Sequence, residues 1–430
     1  MSDTTVVRNA RLPQRSGLYQ ISIEKGVVSA IASMSSSPLS LDSVCLDSVC
    51  LDSVCLDSAT DSATTVIDVA EDWISLGAVD LQINGALGLA FPDLRLNDLE
   101  KLDEICALLW QQGVAEFCPT VVTTSIENVH GCLAALRAHQ LQKSHQLQPP
   151  QHQARIGQAR IGQARIVGAH LEGPFLNVAK RGAHPAEYLQ PLKMATVKEV
   201  IGDFADVVSI VTLAPEVAAE SGVIEWLTQQ GIVVSLGHSL ATAEQAVCAF
   251  DQGATMVTHA FNAMPGLHHR EPGLLGAALI DGRVFSGFIA DGQHICPTML
   301  DVLLRAGRGS RDAWMGGLFL VSDALSPLGL PDGLYPWDSR EIEVVQGTAR
   351  LADGTLSGTT LPLIAGAQNL VKWELCGVEE AIALVTRFPR AAIGLPALSV
   401  GSPAQFLRWG QDSEGQLVWT RLGFTKQLFD

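Results

Sequence analysis

Three side chains that commonly bind metal ions each end a separate apolar run of the sequence. Glu172 closes one run and is followed directly by a Gly-Pro pair, whereas His238 and His259 follow two later runs. Short apolar runs bounded by such signals predict buried strands. Parallel α/β proteins gather their functional groups at the C-terminal ends of strands. One carboxylate and two imidazoles at strand ends therefore predict a site for a divalent ion, and this donor set suits Zn²⁺ or Fe²⁺.

The elements that must position these side chains alternate between buried strands and amphipathic helical segments such as residues 99–109 and 242–250. Eight strands with crossover helices predict an α/β fold, a (β/α)₈ barrel of the TIM type. Short alternating segments near both termini predict a small β-sandwich-like domain built from both chain ends. The predicted barrel strands are residues 74–79, 115–118, 165–169, 207–213, 232–236, 255–258, 284–289 and 318–321.

Two exact repeats interrupt this pattern. Leu-Asp-Ser-Val-Cys occurs three times in residues 41–55, and Gln-Ala-Arg-Ile occurs three times in residues 153–166. A five-residue period fits neither helix nor strand, so we interpret the repeats as a linker and an expanded loop. The predicted parts are residues 1–72 (the N-terminal part of the small β domain with the linker), 73–337 (the metal-dependent barrel) and 338–430 (the end of the barrel and the rest of the small domain).

The composition excludes several functional classes. Lys and Arg number 28 against 45 Asp and Glu, a net charge of −17, which opposes binding to nucleic acid or to an anionic membrane. No apolar stretch is long enough to span a bilayer, and the N-terminus has no signal-peptide pattern. Nine cysteines are an odd count without Cys-x-x-Cys pairs. We therefore expect a cytoplasmic protein with reduced thiols.

Other candidate residues are open to two interpretations from the sequence alone. Asp323 follows the last predicted strand and could exchange a proton with water and a leaving amine, or it could be a helix N-cap or a turn aspartate. Arg270 and His294 could hold a phosphate through charge-assisted hydrogen bonds, or could be solvated loop residues. His184 could assist a carbonyl oxygen or contact sugar hydroxyls.

Eight short motifs surround these residues in a fixed order, at residues 170–177, 181–184, 213–216, 237–239, 258–264, 270–273, 289–294 and 320–324. Together they resemble the N-acetylglucosamine-6-phosphate deacetylase family of the amidohydrolase superfamily, from about residue 76 to residue 394. The resemblance implies a metal-dependent hydrolase that releases acetate from the 2-acetamido group of N-acetylglucosamine 6-phosphate and leaves glucosamine 6-phosphate. It also implies a homodimer, in which Arg270 reaches a neighbour's site.

The resemblance assigns roles residue by residue. Many amidohydrolases have His-x-His after the first strand, whereas this chain has Gln82 and Asn84, so we expect a single ion per subunit, with the two amides contacting at most water. The implied mechanism is attack by metal-activated water, with Asp323 as general base and acid. The implied metal ligands are Glu172, His238 and His259, the catalytic residues are Asp323 and His184, and the substrate contacts are Ala183, His184, Asn262, Ala263, Arg270, His294, Leu356, Ser357 and Gly358.

The sequence alone leaves two other functions open. One is a different amidohydrolase that acts on a cyclic amide or on another N-acetyl amino-sugar phosphate. The other is a sugar-phosphate sensor without catalysis. The set Glu172, His238, His259 and Asp323 favours an enzyme, because a binding protein gains nothing from a metal and a proton-transfer group.

Overall fold

The computed structural model describes residues 4–34, 64–145, 162–309, 317–338 and 340–423. The Leu-Asp-Ser-Val-Cys repeat and most of the other repeat lie outside the described residues. The helices in the described ranges are α1 (Leu99–Gln111), α2 (Ile126–His145), α3 (Met194–Ile201), α4 (Val223–Gln229), α5 (Ala243–Asp251), α6 (Gly273–Ile280), α7 (Pro297–Gly309), α8 (Leu363–Lys372), α9 (Val378–Val385) and α10 (Arg387–Ala392). The strands are β1 (Thr4–Leu12), β2 (Arg15–Glu24), β3 (Val27–Met34), β4 (Thr65–Asp68), β5 (Trp73–Leu76), β6 (Ala78–Ile83), β7 (Gly85–Ala86), β8 (Leu89–Ala90), β9 (Val114–Val122), β10 (Arg165–Ile166), β11 (Ala169–Glu172), β12 (Val208–Leu213), β13 (Val233–Leu236), β14 (Met256–Val257), β15 (Phe285–Phe288), β16 (Leu318–Leu320), β17 (Gly333–Trp337), β18 (Arg340–Val345), β19 (Thr348–Leu351), β20 (Leu356–Thr359), β21 (Phe406–Gln411) and β22 (Leu417–Arg421).

Eight parallel strands form the barrel. They are ordered β6, β9, β11, β12, β13, β14, β15 and β16, and each is hydrogen-bonded to the next. The short strand β10 pairs with the beginning of β9. Each connection from one barrel strand to the next contains a helix. The predicted fold class, a TIM-type (β/α)₈ barrel, is confirmed, and the carboxyl ends of all eight strands face one side.

The helices cover the barrel with their apolar faces. In α1 the buried residues Leu102, Ile105, Cys106 and Leu109 follow the helical spacing of three and four. A capping box starts α5: the Thr242 hydroxyl accepts from the backbone N–H of Gln245, whose side chain accepts from the N–H of Thr242. The sequence pattern therefore predicts both helices to within two residues of their observed ends.

The first predicted barrel strand, residues 74–79, is wrong as a single element. The chain leaves one sheet at Leu76, where β5 ends, and enters the barrel at Ala78, where β6 begins. Gly77 lies between them, and a Cβ added there would be 2.5 Å from the Cβ of Ala115. Only glycine permits this close approach of the two strands. An apolar pattern cannot reveal such a change of sheet, because both strands are buried.

A second sheet is built from both chain ends. Its order is β22, β21, β5, β1, β2 and β3, with β4 beside β1. The indole of Trp409 in β21 donates to the Ser75 hydroxyl at 2.8 Å and joins the C-terminal strands to β5. The domain limits at residues 72 and 337 stay a prediction. The small core of this sheet contains Val7, Ala10, Leu12, Ile21, Ile23, Val28, Val69, Ile74, Ala404 and Phe406.

A four-stranded antiparallel sheet, β17 to β20, projects from the chain after β16. The side chain of Arg340, near its first turn, donates from Nη2 to the carbonyl oxygen of Ala183 at 2.7 Å. Thr359 in β20 forms a bridge with Ala324, just after the end of β16. This sheet therefore lies against the carboxyl end of the barrel. In the described part of the chain, no helix is both long enough and apolar enough to cross a membrane.

Candidate active site

The ends of three barrel strands bring Glu172, His238 and His259 into contact. Glu172 is the last residue of β11, and the two histidines lie two residues beyond β13 and β14. Oε1 of Glu172 lies 3.2 Å from Nε2 of His238 and 2.9 Å from Nε2 of His259. The two Nε2 atoms are 3.0 Å apart, and each of the three residues is at most 5% exposed. The three side chains thus converge on one buried point.

The backbone is strained where the barrel strands give way to the loops that carry these groups. His238, His259 and Asp323 have φ values of 49°, 27° and 48°, in the left-handed region that non-glycine residues rarely adopt. Such residues cost free energy and persist where the surrounding structure holds them. Each of these three residues lies just beyond a barrel strand and directs its side chain toward the same region.

Hydrogen bonds fix different tautomers on His238 and His184. Nδ1 of His238 lies 2.8 Å from the carbonyl oxygen of Lys180, which can only accept, so Nδ1 carries the proton and Nε2 presents a lone pair. The reverse holds for His184, because the backbone N–H of Thr123 donates to its Nδ1 at 3.3 Å. Burial, with a contribution from His238, lowers the pKa of His184 to about 3. His184 is therefore a neutral imidazole with an N–H at Nε2, 3.9 Å from Oε2 of Glu172.

The donor set fits a divalent cation. Although burial by itself would raise it, the pKa of Glu172 is held well below its usual range by His238 and His259. Against the effect of burial, Glu172 also raises the pKa of His259. The point between these side chains therefore favours positive charge, and a carboxylate with imidazole nitrogens is a common donor set for Zn²⁺. Ligand atoms of Glu172, His184 and His238 also lie within 4.8 Å of one another, which makes this region a potential metal site.

Asp323 lies beside this cluster and is bound by two amides. Its Oδ1 accepts from Nδ2 of Asn84 at 2.8 Å and from Nε2 of Gln82 at 3.3 Å. The same Nε2 of Gln82 donates to Oε1 of Glu172 at 2.9 Å. Burial, and then the charge of Glu172, raises the pKa of Asp323 to about 6. This carboxyl group can therefore gain and lose a proton near neutral pH.

The alternative interpretation of Asp323 as a helix N-cap is wrong. No α-helix begins in the described residues between β16 and β17, where the chain forms turns instead.

Sequence reasoning also missed the role of Gln82 and Asn84, which we expected to contact at most water. Their spacing of two at the end of β6 was the available signal, because extended chain places residues two apart on the same face.

A cavity of about 860 Å³ opens over these groups. The side chains of Glu172, His184, His238, His259 and Asp323 all line it. Three basic side chains also line it, those of Lys180, Arg181 and Arg340. They lie beside acidic ones, which are Asp93, Glu172, Glu187, Asp323 and Asp338. The remaining predicted substrate contacts in its wall are Ala183, Asn262, Ala263, His294, Leu356 and Ser357.

Two predicted contact residues do not line the cavity. Arg270 is exposed, and its Nη1 lies 2.8 Å from Nε2 of His269. Gly358 packs behind the site, where an added Cβ would be 3.0 Å from the carbonyl oxygen of Asp323. Arg270 therefore does not serve the site of its own chain in this structure, and its contact with a neighbour's site stays a prediction.

Comparisons with known proteins agree with this geometry. The chain is 36% identical over 365 residues to the N-acetylglucosamine-6-phosphate deacetylase of Bos taurus, covering 80% of this chain and 82% of that protein. It is 32% identical over 347 residues to an N-acetylgalactosamine-6-phosphate deacetylase of Escherichia coli O157:H7, covering 79% and 84% of the two chains. The chain matches no protein-family profile.

A solved structure shares the whole fold. The N-acetylglucosamine-6-phosphate deacetylase from Pasteurella multocida superimposes with a TM-score of 0.73 at 24% identity, over 97% of this chain and 100% of that one. At this identity the likeness shows the fold alone, whereas the identity and coverage of the first relative show the family. The chain belongs to the N-acetylglucosamine-6-phosphate deacetylase family.

Proposed function

We propose that the protein hydrolyses the 2-acetamido group of N-acetylglucosamine 6-phosphate to glucosamine 6-phosphate and acetate. The observation that carries this proposal is the convergence of Glu172, His238 and His259 at one buried point beside Asp323. The substrate is the one named for relatives at 36% identity. The amino-sugar phosphate would enter through the cavity above these groups.

Glu172, His238 and His259 are the residues that would hold one divalent ion, Zn²⁺ or Fe²⁺. The carbonyl of Lys180 supports this role, because it leaves the Nε2 lone pair of His238 free to bind. When bound, such an ion polarises a carbonyl oxygen and lowers the pKa of water. A second ion is disfavoured, because Gln82 and Asn84 direct amide N–H groups at the neighbouring carboxylates.

Three side chains then carry out distinct steps. The Nε2–H of His184 donates a hydrogen bond to the acetamide oxygen as negative charge develops there. Asp323 accepts a proton from the attacking water and returns it to the nitrogen of the departing amine, and a pKa near 6 suits both transfers. Gln82 keeps Asp323 aligned with Glu172 through its two hydrogen bonds.

The sugar phosphate would be held by other residues that line the cavity. His294 is oriented by a hydrogen bond between its Nδ1 and Oδ2 of Asp291 at 2.7 Å, and Asn262 and Ala263 lie in the turn after His259. We further infer a homodimer in which Arg270 of a second copy completes the phosphate site, and a cytoplasmic location for the enzyme.

Acetate release by the purified, metal-loaded protein tests the proposal. We expect turnover of N-acetylglucosamine 6-phosphate and little turnover of the unphosphorylated sugar. N-acetylgalactosamine 6-phosphate is the informative second substrate, because a relative at 32% identity is named for it. Faster turnover of that epimer, or of a cyclic amide, would contradict the assigned substrate. Binding of the sugar phosphate without acetate release would favour the sensor instead.

Asp323→Asn tests the proton transfer separately. The variant keeps the shape of the side chain but cannot accept a proton, so we expect kcat to fall about 10²- to 10⁴-fold while the metal content stays the same. Retention of the wild-type kcat would show that another group moves the proton.

A further inference from the structure

The barrel is closed between its first and last strands without a regular strand ladder. In the described residues, the pairing across this gap is the isolated bridge between Ile83 and Ala324. The ladder of β6 with β9 also shifts register between Asp80 and Ile83. Buried backbone N–H groups here therefore need other acceptors. We call residues 80–84 and 321–325 the seam.

Asp80 supplies an acceptor to both sides of the seam. Its Oδ1 accepts from the backbone N–H of Ser322 at 3.2 Å and from that of Gln82 at 3.3 Å. The residue is 1% exposed and does not line the cavity. Burial raises the pKa of Asp80 to about 7, so the fold keeps a carboxyl group here at a cost in stability.

Both hydrogen bonds of Asp80 lead directly to groups of the candidate active site. Gln82 donates from its side chain to Glu172 and Asp323. Ser322 immediately precedes Asp323, whose backbone N–H donates to the carbonyl oxygen of Gln82 at 2.9 Å. Since Asp323 has a strained φ of 48°, its side-chain direction depends on how firmly these neighbours are held.

We propose that Asp80 is a positioning residue: its Oδ1 fixes the backbone on both sides of the seam so that Gln82 and Asp323 are aimed at Glu172. Asp80 acts through these residues and touches no substrate. A local role is expected, because a displacement of about 1 Å at a reacting group can cost about 100-fold in rate. The kinetic test rests on the proposed hydrolysis, so a structural measurement accompanies it.

The test compares Asp80→Ala and Asp80→Asn in the full, metal-loaded protein. We expect Asp80→Ala to lower kcat for acetate release about 100-fold, with KM and metal content nearly unchanged. Asp80→Asn keeps an oxygen at Oδ1, so kcat should recover to within about 10-fold of wild type. Hydrogen exchange at the amides of Gln82 and Ser322 should accelerate in the alanine variant and remain protected in the asparagine variant.

Glu116→Gln is the matched control for lost stability. It also alters a largely buried carboxyl group, on the strand next to β6 and paired with Val79, the neighbour of Asp80. We expect Glu116→Gln to lower the unfolding temperature without lowering kcat of the folded enzyme. If Asp80→Ala fails to fold, Asp80→Ser takes its place with the same expectations.

Three results would overturn the proposal. The first is a wild-type kcat in a folded alanine or serine variant. The second is an asparagine variant as slow as the alanine variant, since the ionisable proton and not Oδ1 would then matter. The third is unchanged amide exchange at Gln82 and Ser322 in the alanine variant. Because exchange needs no turnover, an inactive wild-type enzyme would contradict the proposed function and still leave the role of Asp80 decidable.

Discussion

Glu116 and Glu172 are carboxylates of neighbouring barrel strands, the first 12% exposed and the second fully buried, and their charges have different partners. Glu116, near the beginning of β9, forms ion pairs with Arg165 and Arg390. Glu172 ends β11 and pairs with Val122, six residues beyond Glu116, or about 20 Å along the strand. Its partners in the described residues are imidazoles and the amide of Gln82, without Lys or Arg.

This difference in charge partners distinguishes the amino end of the barrel, which stabilises the fold, from the carboxyl end, which carries the candidate active site. A buried carboxylate is strongly destabilising unless a cation lies beside it. At Glu116 two guanidinium groups supply that positive charge. Around Glu172 the compensating positive charge is left to an ion or a proton. The carboxyl end of the barrel therefore carries an electrostatic cost that the amino end avoids, which is the expected arrangement for a site that binds a cation.

The largest effect on activity is expected when Glu172→Gln is compared with Glu116→Gln. We expect Glu172→Gln to lower acetate release at least about 10³-fold, because the ion contributes several kcal/mol of catalysis. The metal-free variant should also be less stable than the metal-free wild type, since His238 and His259 stabilise the charged form of Glu172 and lose that partner. Metal content, activity and urea unfolding of both variants check this. Unchanged stability of metal-free Glu172→Gln would show that the two imidazoles do not compensate its charge without the ion.

A smaller effect on activity is expected at His184. His184→Ala removes the N–H that faces the cavity, so kcat should fall about 10²- to 10³-fold, as for other oxyanion donors. His184→Gln can still donate from its amide and should lose less. If His184 is a metal ligand instead, His184→Ala will also lower the metal content, which direct metal analysis of the purified variants detects.

The sequence contains enough information to predict the reactive end of the barrel. Apolar runs bounded by glycine locate Glu172, His238 and His259 at strand ends, and the structure brings all three within 3.2 Å of one another. This works because the parallel topology places every carboxyl end on one face. The pattern could not predict which ring nitrogen of His184 or His238 carries the proton, since that depends on backbone atoms of Thr123 and Lys180.

The amino end of the barrel and the sheet boundaries could not be predicted in the same way. Glu116 and Arg390 are 274 residues apart, and neither lies in a pattern that suggests a buried pair. Gly77 marks a change of sheet that hydrophobicity alone does not reveal. Arg270 follows a functional strand in sequence but lies exposed in the chain that carries it, so distance along the chain was a poor guide to its position.

We expect substitutions at the amino end of the barrel to have their largest effect on the free energy of unfolding. Glu116→Gln leaves Arg390 buried with its compensating charge removed, so we expect the free energy of unfolding to fall by about 3–5 kcal/mol. The activity of the folded variant should equal that of wild type, because Glu116 does not line the cavity. Glu104→Gln is the control, since the exposed pair of Lys101 and Glu104 should contribute less than about 1 kcal/mol.

The same stability difference should disappear in acid. Burial alone would raise the pKa of Glu116, but Arg390 and Arg165 outweigh it and lower this pKa below the ordinary value of 4.5. A carboxyl group with a lowered pKa in the fold stabilises the protein fully above the unfolded-state value, and this contribution is lost as the pH falls through the folded-state value. The free-energy gap between wild type and Glu116→Gln should therefore be constant near neutral pH and shrink below pH 4.5. Urea unfolding of both proteins as a function of pH measures it. A gap that stays constant into acid would mean that packing, rather than charge, holds this end of the barrel together.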